Sequence, residues 1–274
     1  MPSIEYGTLS DKEQLKKLYN MCFFGDEEFA DWYYENLWQP QCTLVVRSNG
    51  EIVSSLQLLP LAFEKDGEHF NGCYVFAVCT CPAERGKGYA SKLIEKCFEI
   101  CHTKGLEFCA LIAREASLLD YYGRFGFQPT FKVTENSGYP EKGECSVLDY
   151  DSILQIDKIY KDATAGLFCT VRNEEYWKQQ MSVYKTYGLK KDGKLVAYCF
   201  GDIRDNMFYG AEACGERIEE LVKYSAAEEG IDRYKYLSIP QGNAVANGCI
   251  KPLSEKMQKV MSNTQTGYLN LYFN

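Results

Sequence analysis

A chain of 274 residues, 46% hydrophobic and 25% charged, is long enough for two packed domains and ordinary in composition for a globular fold. Its formal charge of −8 argues against a nucleic-acid partner, because a duplex binder concentrates lysine and arginine. No apolar run approaches the roughly 18–20 residues of a membrane span, and the N-terminus lacks the basic and apolar segments of a signal peptide, so a cytoplasmic location and no membrane partner are expected.

Taken in chain order, "IEYGTL" reads as a first strand. Ser10 followed by Glu13 reads as a capping box opening a helix that runs to Phe24. A turn at Gly25 leads to a second, aromatic-rich helix. Asn49-Gly50 and Asp66-Gly67 are hairpin turns that separate three antiparallel strands, about 43–48, 51–63 and 68–81. Pro60 implies an edge or a bulge in the middle one. After Gly88, the residues Ala90, Leu93, Ile94, Cys97, Phe98 and Cys101 fall on one helical face, and Gly105 ends the helix. "LEFCALIA" then reads as a buried strand, which completes a βαβ unit. A short helix, a turn at Gly126 and a further strand follow.

From about residue 145 a similar order starts again: two helices, a hairpin turning at Asp192-Gly193, an amphipathic helix after Arg217, and strands at "YKYLSIP" and "GYLNLYFN". We divide the chain into 1–146 and 147–274. The second part reads either as a degenerate structural duplication or as an unrelated α+β domain. No low-complexity linker lies between the parts, so they are expected to pack together.

Thirteen cysteines stand mostly inside apolar runs, where a reduced thiol behaves as a small hydrophobe. Strand alternation places Cys73, Cys79 and Cys81 on one face, with no second ligand pair at finger spacing, so no metal is expected. With only His69 and His102 available, a histidine triad or histidine metal site is not expected either.

The stretch Arg85-Gly86-Lys87-Gly88-Tyr89-Ala90 lies between a strand and a helix. It lacks the four-residue glycine spacing of a P-loop and the third glycine of a dinucleotide fingerprint. It does satisfy R/Q-x-x-G-x-G/A at every fixed position. A helix N-terminus behind flexible glycines offers unpaired N–H groups and a positive dipole end to a phosphate.

With Pro82 ahead of that loop and "EASLLDYYGRFGF" about thirty residues behind it, residues 3–145 resemble the GNAT superfamily of acyl-CoA-dependent N-acetyltransferases. The resemblance implies an α/β fold with a mixed sheet and acetyl-CoA as co-substrate. It implies that Arg85, Gly86, Lys87, Gly88, Tyr89, Ala90 and Ser91 hold the pyrophosphate, with the backbone of Val78, Cys79 and Thr80 along the pantetheine arm and thioester. It implies direct transfer to a primary amine, with Tyr122 giving a proton to the departing thiolate and Tyr121 as the neighbouring alternative. Asp26, Glu27, Glu28 and Glu115 are candidates on the acceptor side. Helix capping by Asp26 and dipole matching by the glutamates are the plainer roles. Cys79 as a nucleophile has no histidine expected beside it. The whole chain is similar to the enhanced-intracellular-survival type, in which an active GNAT domain precedes a degenerate GNAT-like one. That type's sterol-carrier-like third domain is not expected within these 274 residues. In that type the terminal carboxylate can serve near the active site, a role not expected of Asn274. The expected activity is acetyl transfer to a small-molecule or lysine amine, a cationic acceptor being mildly favoured by the acidic balance. A noncatalytic CoA-binding regulatory module and a protein- or peptide-directed acyltransferase compete with it. Self-association stays open.

Overall fold

The computed structural model describes residues 3–113, 115 and 117–271. The first half runs β1 (Ile4–Tyr6), α1 (Lys12–Cys22), α2 (Glu27–Asn36), β2 (Thr43–Ser48), β3 (Glu51–Lys65), β4 (Glu68–Thr80), α3 (Tyr89–Thr103), β5 (Phe108–Ile112), α4 (Ser117–Gly123) and β6 (Gln128–Gly138). The two expected hairpin turns form where asparagine, aspartate and glycine accept left-handed backbone, at φ +53° and +84° for Asn49-Gly50 and +52° and +80° for Asp66-Gly67. Pro60 lies beyond the last β2 partner of β3, which is Gln57, so its missing N–H falls on a local edge. The capping box is Thr8 with Asp11, not Ser10 with Glu13. Arg47 of β2 draws the buried Asp11 carboxylate inward at 2.7 Å, and Asp11 Oδ2 then accepts from the Thr8 N–H.

The second half runs β7 (Ser146–Val147), α5 (Ile153–Thr164), β8 (Phe168–Thr170), α6 (Glu174–Val183), β9 (Lys185–Lys191), β10 (Lys194–Arg204), β11 (Met207–Gly215), α7 (Ile218–Glu228), β12 (Tyr234–Ser238), β13 (Val245–Pro252), α8 (Glu255–Ser262) and β14 (Gly267–Tyr268). The strand read at "GYLNLYFN" pairs only over Gly267–Tyr268 among the described residues. Asn274 lies outside them. The strand β13 has no counterpart in the sequence reading, because Gly248 and Pro252 break its apolar signal.

One sheet path joins the halves in the order β1-β2-β3-β4-β5-β13-β6-β12-β11-β10-β9-β7. The late strand β13 fills the slot between β5 and β6. The long β6 is shared: residues from Gln128 to Val133 pair with β13, and those from Thr134 to Gly138 pair with β12. The first half has a core on each sheet face. Helix α3 covers one, with Leu93, Ile94, Cys97 and Cys101 buried in it. Helices α1 and α2 cover the other, which is rich in Tyr19, Tyr33, Tyr34 and Phe76.

Strand β4 departs from simple alternation. Its register against β3 slips between Ser55/Cys79 and Gln57/Phe76, so Leu56 faces both Ala77 and Val78. Ala77 takes φ +48° in this bulge. Phe76 and Ala77 therefore enter the same core, and the parity of every later residue reverses. Cys73 packs under α3, whereas Cys79 and Cys81 pack on the α1–α2 side. The one-face arrangement expected for the three cysteines is thus corrected by one inserted residue.

Candidate active site

Strands β4 and β5 pair in parallel through only three positions, Gly72 with Phe108, Cys73 with Cys109 and Tyr74 with Ala110. Beyond these, β5 continues beside β13, and its neighbour Ala113 donates to the Asn247 carbonyl at 3.0 Å. Strand β4 stays with β3 as far as Thr80. A wedge opens between them, with residues 75–80 on one side and 111–113 on the other, and no β4–β5 ladder crosses it. Backbone in a left-handed bulge at a non-glycine residue costs on the order of 1–3 kcal/mol, and such strain concentrates at functional sites. Ala77 stands at the wedge wall.

The glycine loop follows from the end of β4. Gly86 and Gly88 take φ +78° and +77°. A β-carbon at either would meet nothing within 4 Å, so glycine is required here for conformation and not for room. Gly88 is the N-cap of α3, and no side chain caps that helix. Its first-turn N–H groups and positive dipole end are thus presented behind the loop. Arg85 Nε donates to the Thr80 carbonyl at 3.4 Å, which ties the loop to the strand end. Lys87 is paired with Glu84 at 2.8 Å, so part of its charge is already spent within the loop. The other Glu84 carboxylate oxygen is buried without a partner among the described residues.

Helix α4 supplies the tyrosines. Tyr122 is 8% exposed and lies edge-on to Tyr121 and Phe127. Burial pushes its hydroxyl pKa well above the ordinary tyrosine range, and the neighbouring Tyr121, Cys249 and Cys79 push in the same direction. Among the described residues its hydroxyl has no hydrogen-bond partner. Tyr121 instead reaches Ser91 in the first turn of α3, oxygen to oxygen 3.5 Å. Val78, Cys79, Thr80, the stretch from Arg85 to Ser91, and Tyr122 are therefore gathered around one wedge.

The candidate carboxylates stand on half-buried or exposed surface. Asp26 occupies the N-cap position of α2 without a side-chain capping bond, and Glu28 is exposed in the first turn of that helix. Glu115 is exposed ahead of α4, where it accepts from Ser117 Oγ at 3.4 Å. The wall under β4 on the α1–α2 side is aromatic, with the Tyr33 hydroxyl donating to Gln57 and Tyr33 edge-on to Phe76.

Sequence reasoning missed Cys22. It ends α1 and its thiol points to the Thr80 carbonyl at 3.5 Å. Hydrogen bonding from the Cys79 thiol, opposed by burial and helped by Arg85, lowers its pKa to about 6. Cys79 itself is fully buried, and burial with the Cys22 hydrogen bond pushes its thiol well above the ordinary range. The missed signal was spatial, since Cys22 and Cys79 lie 57 positions apart in the sequence (79 − 22).

In the second half the equivalent place is filled. Strands β11 and β12 stay paired as far as Ala213 and Ser238. Helix α7 begins with Glu219 and Glu220, and Arg217 is engaged by Glu220, an arrangement that repels an anion. Glu212 of β11 is buried and holds Arg172 through two bonds of 2.6 and 2.8 Å, while Tyr198 and Tyr268 donate to it.

A splayed parallel pair, a left-handed glycine loop and an uncapped helix start follow one another along β4 and α3, and an uncapped helix start behind glycines is the kind of place where a phosphate binds. Residues 3–130 match the family model described as an acetyltransferase (GNAT) domain, and the chain carries such a domain. No curated protein matches the chain. Three solved structures illustrate its fold. A probable N-acyltransferase from Enterococcus faecalis V583 is 12% identical with a TM-score of 0.69, covering 94% of this chain and 74% of its own. A GCN5-related N-acetyltransferase from Anabaena variabilis is 13% identical with a TM-score of 0.67, covering 93% and 73%. Eis1 from Mycobacterium abscessus is 12% identical with a TM-score of 0.62, covering 92% and 74%. The similarity in fold spans both halves of the chain.

Proposed function

We propose that this chain transfers an acetyl group from acetyl-CoA directly to a primary amine, a small-molecule or lysine amine being the acceptor. The observation that carries this reading is the wedge between β4 and β5 opening onto the uncapped start of α3. Bound acetyl-CoA supplies the acetyl thioester. The N–H groups of the α3 first turn, with Arg85, hold its pyrophosphate, while the unpaired edge of residues 78–80 offers backbone groups to the pantetheine arm and the thioester carbonyl. Tyr122 is kept protonated by burial and gives its proton to the sulfur as the amine nitrogen bonds the acetyl carbon and the C–S bond breaks, and the proton shed by the nitrogen returns through water to the Tyr122 oxygen. The aromatic wall of Tyr33, Tyr34 and Phe76 supports the acceptor side.

The test is calorimetric titration of acetyl-CoA into the reduced chain, followed by an amine screen read by mass spectrometry. Binding with acetylated product supports the reading. Binding without turnover on any amine or lysine peptide leaves a noncatalytic CoA-binding module. No binding overturns both.

A further inference from the structure

Four cysteines meet inside the α3-side core. Cys73 comes from β4, Cys109 from the facing position on β5, and Cys97 and Cys101 from successive turns of α3. All four are buried, between 0 and 3% exposed. The six Sγ–Sγ distances are 3.3 Å for Cys73–Cys101, 3.5 Å for Cys73–Cys109 and for Cys101–Cys109, 3.7 Å for Cys97–Cys109, 3.9 Å for Cys73–Cys97 and 4.0 Å for Cys97–Cys101. These are the edges of a nearly regular tetrahedron. Zinc with thiolates at about 2.3 Å requires an edge of about 3.8 Å, so one ion fits at its centre. The distances are too long for disulfides, whose sulfurs lie about 2.0 Å apart. They are too short for an iron–sulfur cluster, whose thiolates stand outside a multi-atom core.

We propose that Cys73, Cys97, Cys101 and Cys109 form a structural zinc site. Thiols that fill a core as small hydrophobes have no reason to converge at six spacings all between 3.3 and 4.0 Å. These four leave no coordination position open, which makes the site structural and not catalytic. Zinc displaces the four thiol protons as four Zn–S bonds form, leaving a net charge of −2.

The location gives the ion a role. Cys73 and Cys109 are the middle pair of the three that join β4 to β5, at the apex of the wedge. Cys97 and Cys101 fasten that apex to the helix whose N-terminus follows the glycine loop. One ion thus locks the two walls of the cleft and its phosphate end into one rigid unit. The expectation from sequence that the chain holds no metal is replaced by this proposal. The sequence spacing, C-x23-C-x3-C-x7-C, matches no finger pattern.

The test is elemental analysis of the full chain purified under reducing conditions without added metal, followed by cobalt exchange. About one zinc per chain is expected, with the cobalt form showing the sulfur-to-metal charge-transfer and visible bands of a tetrahedral tetrathiolate. Cys101→Ser should weaken zinc by more than the roughly 10–100-fold that loss of an outer-sphere partner costs. Cys249→Ala, in the same core but outside the tetrahedron, should keep the full complement. The wild-type zinc content and cobalt spectrum decide the matter even if Cys101→Ser does not fold. No zinc in the wild type and no uptake of zinc or cobalt overturns the site. Iron in place of zinc overturns the identity of the metal, and unchanged zinc in Cys101→Ser overturns the ligand set. None of these readouts depends on acetyl transfer, so failure of the function proposed above leaves them standing.

Discussion

Gly88 allows stability and binding to be pulled apart. A side chain there must sit at φ +77°, which costs about 1–2 kcal/mol for most residues, but its β-carbon would meet nothing within 4 Å. Gly88→Ala should therefore lose roughly 1–2 kcal/mol, a melting shift of about 2–4 °C per kcal/mol for a protein near this size. Gly88→Asn should lose less, since asparagine tolerates left-handed backbone. Gly88→Glu carries the same backbone cost, offset by about 0.3–1 kcal/mol because a carboxylate suits a helix N-terminus. Yet that carboxylate occupies the place proposed for the pyrophosphate. Gly88→Glu should melt no lower than Gly88→Ala while losing acetyl-CoA binding completely, and Gly88→Ala should retain weakened binding. Differential scanning fluorimetry and isothermal titration measure the two quantities on the same samples. Wild-type affinity in Gly88→Glu would refute the anion cradle.

Three further outcomes are expected. Tyr122→Phe should bind acetyl-CoA normally and lose about 10²–10⁴-fold in kcat, and full activity would end the proton-donor assignment. Alkylation of Cys22 by iodoacetamide should rise with a midpoint at about 6 and be blocked by acetyl-CoA, whereas Cys42 and Cys145, raised by burial, should lag. A Cys22 midpoint in the ordinary thiol range would refute the Cys79 hydrogen bond. Glu212→Gln should destabilise by about 3–5 kcal/mol, because Arg172 is left charged and buried. Burial alone would raise the Glu212 pKa, but Arg172, Tyr268 and Tyr198 more than reverse that and hold it below the ordinary range. Its contribution is therefore present above the unfolded carboxylate value of about 4.3 and is lost as pH falls through the lower folded value. Wild type should lose stability below roughly pH 4 more steeply than Glu212→Gln, as followed by urea melts across that range, and equal slopes would count against the pair.

Signals confined to neighbouring residues were legible in the sequence. Asn49-Gly50, Asp66-Gly67 and Asp192-Gly193 all turn hairpins, because left-handed φ is written in the residue pair itself. The glycine loop and α3 stand where the pattern placed them, since glycine and an amphipathic period are local properties. What depends on partners far along the chain was not legible. The Thr8 cap is chosen by Arg47. The separation of Cys73 from Cys79 is set by the single extra residue at Ala77, where nothing in the apolar run "VFAVCTC" marks a bulge. The lowered Cys22 thiol and the four-cysteine tetrahedron exist only once α1, α3, β4 and β5 have come together.

The placement of β13 bears on how the protein is made. Translation delivers the chain from the N-terminus, but the slot between β5 and β6 waits for residues 245–252. At roughly 5–20 residues per second, that strand is synthesised on the order of ten seconds after β6. Throughout this interval β5 and β6 present bare edges, the kind of surface that recruits the wrong strand from another nascent chain. The wedge wall made by β5 lacks its outer support until residues 245–252 have left the ribosome. Competence to bind an acyl donor should therefore appear late and all at once, and a holdase that shields edges should raise the yield more than added cofactor does.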